Sequence, residues 1–360
     1  MADAHLDDQG WEWHYDDTSN ATKAILTRVV QAGGGTELNI PTQLFAGINI
    51  LTFSLNCFND AEGKKITKIL SMPSTVTSLE VASFANMTNL TSMTIGSGVV
   101  TIGDYALYYC TAMTSVTIPS SVTSIGEYAF DHCSTMTSVT IPNSVTSIGL
   151  NSFRYCTAMT SLTLGSGLTT IGAAAFLSCT ALTSVTIPNG VTSLGNGAFN
   201  LCTALTSLTL GSGLTTIGYI VFQYCTALTS VTIPSNITSI GDSAFYQCSS
   251  LVSVTIPSSV TSIGPFAFHL NIAMPSVSIP SSVTTIGASA FSSCTILTSI
   301  KFLGLVAPTS VGVNWIANAP AGIRGHAFSA SNFPAPGSAF NGLTMGDPLG
   351  AHAKACIIGV

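Results

Sequence analysis

The chain has 360 residues, a formal net charge of −6, 46% hydrophobic residues and only 7% charged ones. With nine lysines and arginines in all, it is a poor match for nucleic acid, whose binding rests on cationic side chains neutralising phosphates. No uninterrupted stretch of about 18 apolar residues occurs, which excludes a membrane-spanning helix.

The first 66 residues stand apart. Seven of the fifteen acidic residues lie in the first 37 positions, and the opening MADAHLDDQGWEWHYDD lacks the apolar core of a secretory leader. His5, Asp7, Asp8, His14, Asp16 and Asp17 are expected to be a solvated cap; a divalent-cation site is the sharper alternative. Trp11, Trp13 and Tyr15 fit a cap over a first, degenerate turn.

From residue 67 to 302 the sequence repeats itself ten times in one register of 23 residues. Cysteines fall at 110, 133, 156, 179, 202, 225, 248 and 294, with Asn271 in the one vacant slot. Phenylalanines keep the same step from Phe84 to Phe291, with Leu107 as the exception, and an Ile-Gly or Leu-Gly pair recurs from Ile102 to Ile286. Residues 160–204 are nearly copied at 206–250.

A representative unit is MTSVTIPSSVTSIGEYAFDHCST, Met113 to Thr135. Alternation at Val116 and Ile118, and again from Val122 to Ile125, predicts two short strands on different sides of one coil. The Gly-x-x-Ala-Phe-x-x-Cys segment predicts a tight helical or 3₁₀ turn that delivers Phe to the core. Pro119 cannot donate to a ladder and ends the first strand; where Gly165 or Gly211 replaces it, conformational freedom is expected to turn the corner. A single coil leaves strand edges unpaired on both sides, so the stacked array is the folding unit. The expected fold class is a leucine-rich-repeat solenoid, mainly β, with parallel strands stacked along the axis and short helical or 3₁₀ turns.

The recurring SVTIPxSVTSIGxxAFxxCxxL pattern, for example Ser115 to Met136, resembles the BspA-like class of leucine-rich repeats over about two thirds of the chain. The resemblance implies a surface or secreted protein engaged in adhesion and in binding host or matrix proteins.

The in-register cysteines lack the C-x-x-C spacing of a metal site, and parallel Cβ vectors are a poor geometry for disulfides. They read as buried thiols; Cys57 and Cys356 stay unassigned. The strand hydroxyls Ser115, Thr117, Ser138, Thr140, Ser161, Thr163, Ser184, Thr186, Ser207, Thr209, Ser230 and Thr232 alternate with core residues and are expected to face outward. Three readings stand beside one another. The hydroxyls keep a parallel sheet soluble, or they form a docking surface for a glycan, a protein or another copy, or their ranks match an ice lattice. Acidic residues are too sparse in the array for paired carboxylates. The histidines show no nucleophilic constellation, and no cofactor is expected. Residues 303–360, rich in Pro and Gly around Trp315, Phe328, Phe333 and Phe340, read as a second cap or an assembly segment, with Ala355 to Val360 suited to strand addition.

The sequence thus predicts a non-enzymatic, extracellular or cell-surface recognition scaffold, with partners on another surface or in further copies of itself, and neither nucleic-acid binding nor membrane insertion. The alternative is a self-assembling structural protein (a filament, surface layer or virion component) joined through its end segments.

Overall fold

The computed structural model describes residues 36–40, 58 and 65–350 in full, and the backbone of the strands Asp3–Leu6, Trp11–Asp17, Lys23–Gln31 and Asn49–Phe53. The chain forms two compact units, Met1–Ser184 and Val185–Val360. Each is a stack of short parallel strands, a β-solenoid. The side chains of the His5-to-Asp17 cluster, and Cys57, Cys356 and Ala355–Val360, lie outside the described residues.

In the first unit the Ile-Gly strands stack one coil apart: Ser124–Ile125 pairs parallel with Thr101–Ile102 on one side and Ser147–Ile148 on the other. The second unit repeats this from Thr216–Ile217 to Ser310–Val311. Two-residue strands suffice because each pairs on both sides and sends its Ile inward. The phenylalanines stack beneath them. Phe130 lies 4.9 Å from Phe153, and Phe153 lies 5.3 Å from Phe176, all three fully buried. In the second unit Phe222, Phe245, Phe268 and Phe291 continue at 5.3–5.5 Å.

The segment carrying Phe differs from the helical or 3₁₀ turn expected. It is a run of tight turns with two left-handed residues four apart, such as Tyr128 (φ 55°) and His132 (φ 61°). This backbone points alternate N–H groups in opposite directions. Asp131 and Cys133 donate within the coil to Tyr128 and Phe130, while Tyr128, Phe130 and His132 donate to the carbonyls of Leu150, Ser152 and Arg154 in the next coil, at 2.7–2.9 Å. A helix aims all its N–H groups along its own axis, whereas these turns aim every second one at the next coil; stacking selects the turn form.

Gly165 corrects a second expectation. It has no left-handed backbone. A Cβ there would lie 2.2 Å from the Pro142 carbonyl oxygen of the preceding coil, so glycine is demanded by close approach.

Stacking also runs past the strict repeat, because ladder pairing needs N–H and C=O groups rather than the 23-residue signature. Glu37–Asn39 pairs parallel with Lys68–Ser71, and Phe58 stacks on Phe84 at 4.7 Å. At the other end Trp315, at the position that Ala290 holds one coil earlier, packs edge-on against Phe291 at 6.3 Å, and Arg324–His326 and Leu343–Met345 extend the sheet begun by Ser276–Ile279. The N-terminal strands Asp3–Leu6, Trp11–Asp17 and Lys23–Gln31 form an antiparallel meander.

Candidate interaction surfaces

The strand hydroxyls from Ser115 to Thr232 are exposed in every coil, flanking one inward residue such as Val139 or Val185. The face they line is interrupted. Ser115–Thr117 pairs with Ser92–Thr94, and Ser138–Thr140 pairs with Ser161–Thr163, but these two groups belong to separate sheets. Between them lies a shallow depression of about 390 Å³ lined by Ser115 to Ile118 and Ser138 to Thr140. In the second unit Ser230–Thr232 likewise pairs only with Ser253–Thr255.

Other hydroxyls are consumed by the stack. Thr114, Thr137 and Thr160 each donate to the main-chain carbonyl one coil back, as do Thr123, Thr146 and Thr169, at 3.0–3.4 Å. Ser121, Ser144, Ser259 and Ser282 do the same at the Pro corner, at 2.6 Å. The twelve strand-face hydroxyls make no side-chain hydrogen bond to another described residue. Abundant Ser and Thr therefore fall into two sets, one hydrogen-bonded to the neighbouring coil and one exposed, that composition alone does not separate.

The eight array cysteines are reduced and buried. Seven of the thiols donate to the carbonyl of the residue 26 earlier; Cys133 reaches Leu107 and Cys156 reaches Phe130, at 3.3–3.4 Å. Burial pushes the thiols of Cys110, Cys248 and Cys294 up to about 12 and holds those of Cys133, Cys156 and Cys225 well above the usual range. A protonated, unreactive thiol is the form such a bond needs.

One feature of the first unit escaped the sequence reading. Tyr105, Tyr108, Tyr109, Tyr128, His132 and Tyr155 gather on the turn side of three successive coils. Tyr105 stacks on Tyr128 at 4.8 Å with planes 3° apart, and His132 is sandwiched between Tyr109 at 4.2 Å and Tyr155 at 4.6 Å. Beneath them Asp131 is fully buried, accepting from Arg154 Nη2 at 2.8 Å and Nε at 3.1 Å and facing His132 Nδ1 at 3.0 Å. Arg154 also lies 5.3 and 5.2 Å from the ring centroids of Tyr128 and Tyr155. The signal was available: Tyr105 to Tyr128 and Tyr109 to His132 to Tyr155 are steps of one repeat length, which stacking turns into contact.

In the second unit a cavity of about 540 Å³ opens beside the last turn segment, lined by Val313 to Ala317, Ala319 to Ala321, Asn341 and Gly342 among others. The turn ladder ends there. The N–H groups of Ser289, Phe291 and Ser293 reach the carbonyls of Val313, Trp315 and Ala317, whereas those of Asn314, Ile316 and Asn318 meet no carbonyl of a described residue. Among the described residues no cluster of three or more His, Cys, Asp or Glu is placed to hold a metal, and no helix is long and apolar enough to cross a membrane.

Stacked parallel strands, a buried Phe and Cys ladder and a repeating hydroxyl face define a leucine-rich-repeat solenoid. The BspA type leucine rich repeat region matches in six copies over residues 51–181, 123–238 and 215–314, and the chain belongs to that family. Among solved structures it is similar to a leucine-rich repeat protein from Bacteroides ovatus, with 23% identity, 88% of this chain and 94% of that one covered, and a TM-score of 0.70. It is also similar to a leucine rich cell surface protein from Faecalibacterium prausnitzii, with 28% identity, 84% and 95% coverage, and a TM-score of 0.53. No curated protein matches the sequence.

Proposed function

We propose that the chain is a non-enzymatic recognition scaffold, displayed at a cell surface, whose strand hydroxyls are the contact face for a protein or a glycan on another surface. The observation that carries this reading is the division of labour among the hydroxyls. Those that stack coils are engaged, while Ser115, Thr117, Ser138, Thr140, Ser161, Thr163, Ser184, Thr186, Ser207, Thr209, Ser230 and Thr232 are exposed with no side-chain partner among the described residues. Membership of the BspA-type family and the cell-surface description of the Faecalibacterium relative support the location. The interruption beside Ser138–Thr140 favours a partner that follows relief over one that needs an unbroken lattice, and so weighs against ice.

The test is a binding screen against glycans and matrix proteins with Thr163, Thr186 and Thr209 changed to Lys. Loss of the wild-type partner in the triple variant supports the face; undiminished binding excludes it.

A second reading, self-assembly through an end segment, is favoured by the N–H row of Asn314, Ile316 and Asn318, which meets no carbonyl of a described residue. In the coils below, equivalent groups receive carbonyls of the next coil, so a further chain offering carbonyls two residues apart fits the same place. Light scattering and electron microscopy at rising concentration decide it; a strict monomer throughout rejects assembly.

A further inference from the structure

Between Ser92 and Thr298 there are only five lysines, arginines and acidic residues: Asp104, Glu127, Asp131, Arg154 and Asp242. Four of the five belong to the aromatic turn face of the first unit. Arg154 is committed to Asp131. Asp104 and Glu127 are exposed and adjoin each other, Asp104 Oδ1 accepting the Glu127 N–H at 2.8 Å, and neither meets a cationic side chain among the described residues. The patch therefore carries two uncompensated carboxylates beside Tyr105 and Tyr128.

The fold does not require rings at these positions. Tyr105, Tyr109, Tyr128, His132 and Tyr155 all have φ between 55° and 61°, which L side chains disfavour. The same two positions hold Ala174 and Ser178 in a later coil of this unit, and Ser289 and Ser293 in the second, where Ser243 also holds the first of them. In the coil before Tyr105 the equivalent residue is Ala82, which brings no ring to stack on it; Tyr105 meets Tyr108 edge-to-face at 5.5 Å and is 38% exposed. An exposed tyrosine ring beside two carboxylates suits an ammonium or guanidinium group, attracted by the ring quadrupole and the negative charge together. The surface spans three coils, and tyrosine, in which it is rich, is enriched in protein-binding hot spots.

We propose that this turn face docks a cationic segment of a protein partner, seating a Lys or Arg side chain over Tyr105 between Asp104 and Glu127. The site is separate from the strand hydroxyls and does not depend on their role.

Fluorescence anisotropy of labelled octalysine with the full chain tests it. The wild type is expected to bind in a salt-sensitive way. Tyr105→Ser with Tyr128→Ser, which leaves the charge unchanged and installs the residue found at 243 and 289, is expected to weaken binding about tenfold. Asp104→Asn with Glu127→Gln is expected to do the same, while the equal charge change Asp242→Asn with Asp347→Asn leaves affinity within twofold. Unchanged urea midpoints in these variants certify folding. The proposal is overturned by undetectable octalysine binding, by full affinity in the tyrosine variant, by equal weakening in the distant charge control, or by preference for octaglutamate or a neutral oligosaccharide.

Discussion

Asn271 Nδ2 donates to the Phe245 carbonyl at 3.0 Å, the same bond that a cysteine thiol makes in seven other coils. Asparagine keeps the donor but brings a second polar atom: Asn271 Oδ1 is buried with no hydrogen-bond partner. An unsatisfied buried acceptor costs about 1–3 kcal/mol. Asn271→Cys is therefore expected to stabilise the protein by about that amount, read as a higher urea midpoint with unchanged slope; a drop in the midpoint contradicts the account.

The thiol ladder makes stability alkali-sensitive. Thiols in an unfolded chain titrate near about 8.5, whereas those of Cys110, Cys248 and Cys294 are pushed up to about 12 by burial. Below the unfolded value both states hold the proton and the stabilisation is fully present. Above it the unfolded chain loses protons that the folded chain keeps, so stability falls as pH rises towards the folded value, by about 1.4 kcal/mol per pH unit for each such thiol. Urea midpoints are expected to be lower at pH 10 than at pH 8. Replacing those three cysteines with serine flattens the dependence; an equal slope in the variant contradicts it.

Two glycines of the same register separate close approach from habit. A Cβ on Gly149 would stand 2.7 Å from the Glu127 nitrogen and the Gly126 carbonyl carbon, which are backbone atoms and cannot swing away. A Cβ on Gly218 would meet nothing nearer than 3.4 Å. Gly149→Ala is expected to cost about 1–3 kcal/mol as overpacking, and Gly218→Ala to stay within about 0.5 kcal/mol of wild type, both by denaturant titration.

Asp131 and Arg154 form the buried charge pair of the aromatic face. Arg154→Leu strands a buried carboxylate and is expected to cost about 3 kcal/mol, discounted for the partly exposed guanidinium and for His132 nearby. Adding Asp131→Leu removes the stranded charge and is expected to restore most of the loss. A double variant no more stable than Arg154→Leu contradicts this, and Asp131→Leu alone supplies the fourth stability of a complete double-mutant cycle.

Much of the array was legible because it is periodic. A 23-residue step in Phe130, Cys133 and Ile125 states that each residue will lie on its own counterpart, and stacking follows without any long-range inference. Non-periodic stretches were less legible: Trp315 packs edge-on against Phe291, and Leu38 pairs with Ile69, without the signature that marks the other coils. The turn form of residues 126–133 is not separable in the sequence from the helical or 3₁₀ turn expected there, because short apolar spacing is common to both, and only the demand of the next coil for hydrogen bonds separates them.

The sequence by itself determined the family, the coil length, the inward Phe, Cys and Ile ladders and the outward strand hydroxyls, since all of these follow from the period and from side-chain alternation along a strand. Tertiary structure alone decided which hydroxyls are spent on the neighbouring coil and which are left exposed, where the strand face is interrupted, and that Tyr105, Tyr128, His132 and Arg154 make one surface. These depend on contacts between residues about 23 positions apart, and such contacts exist only once the coils have stacked.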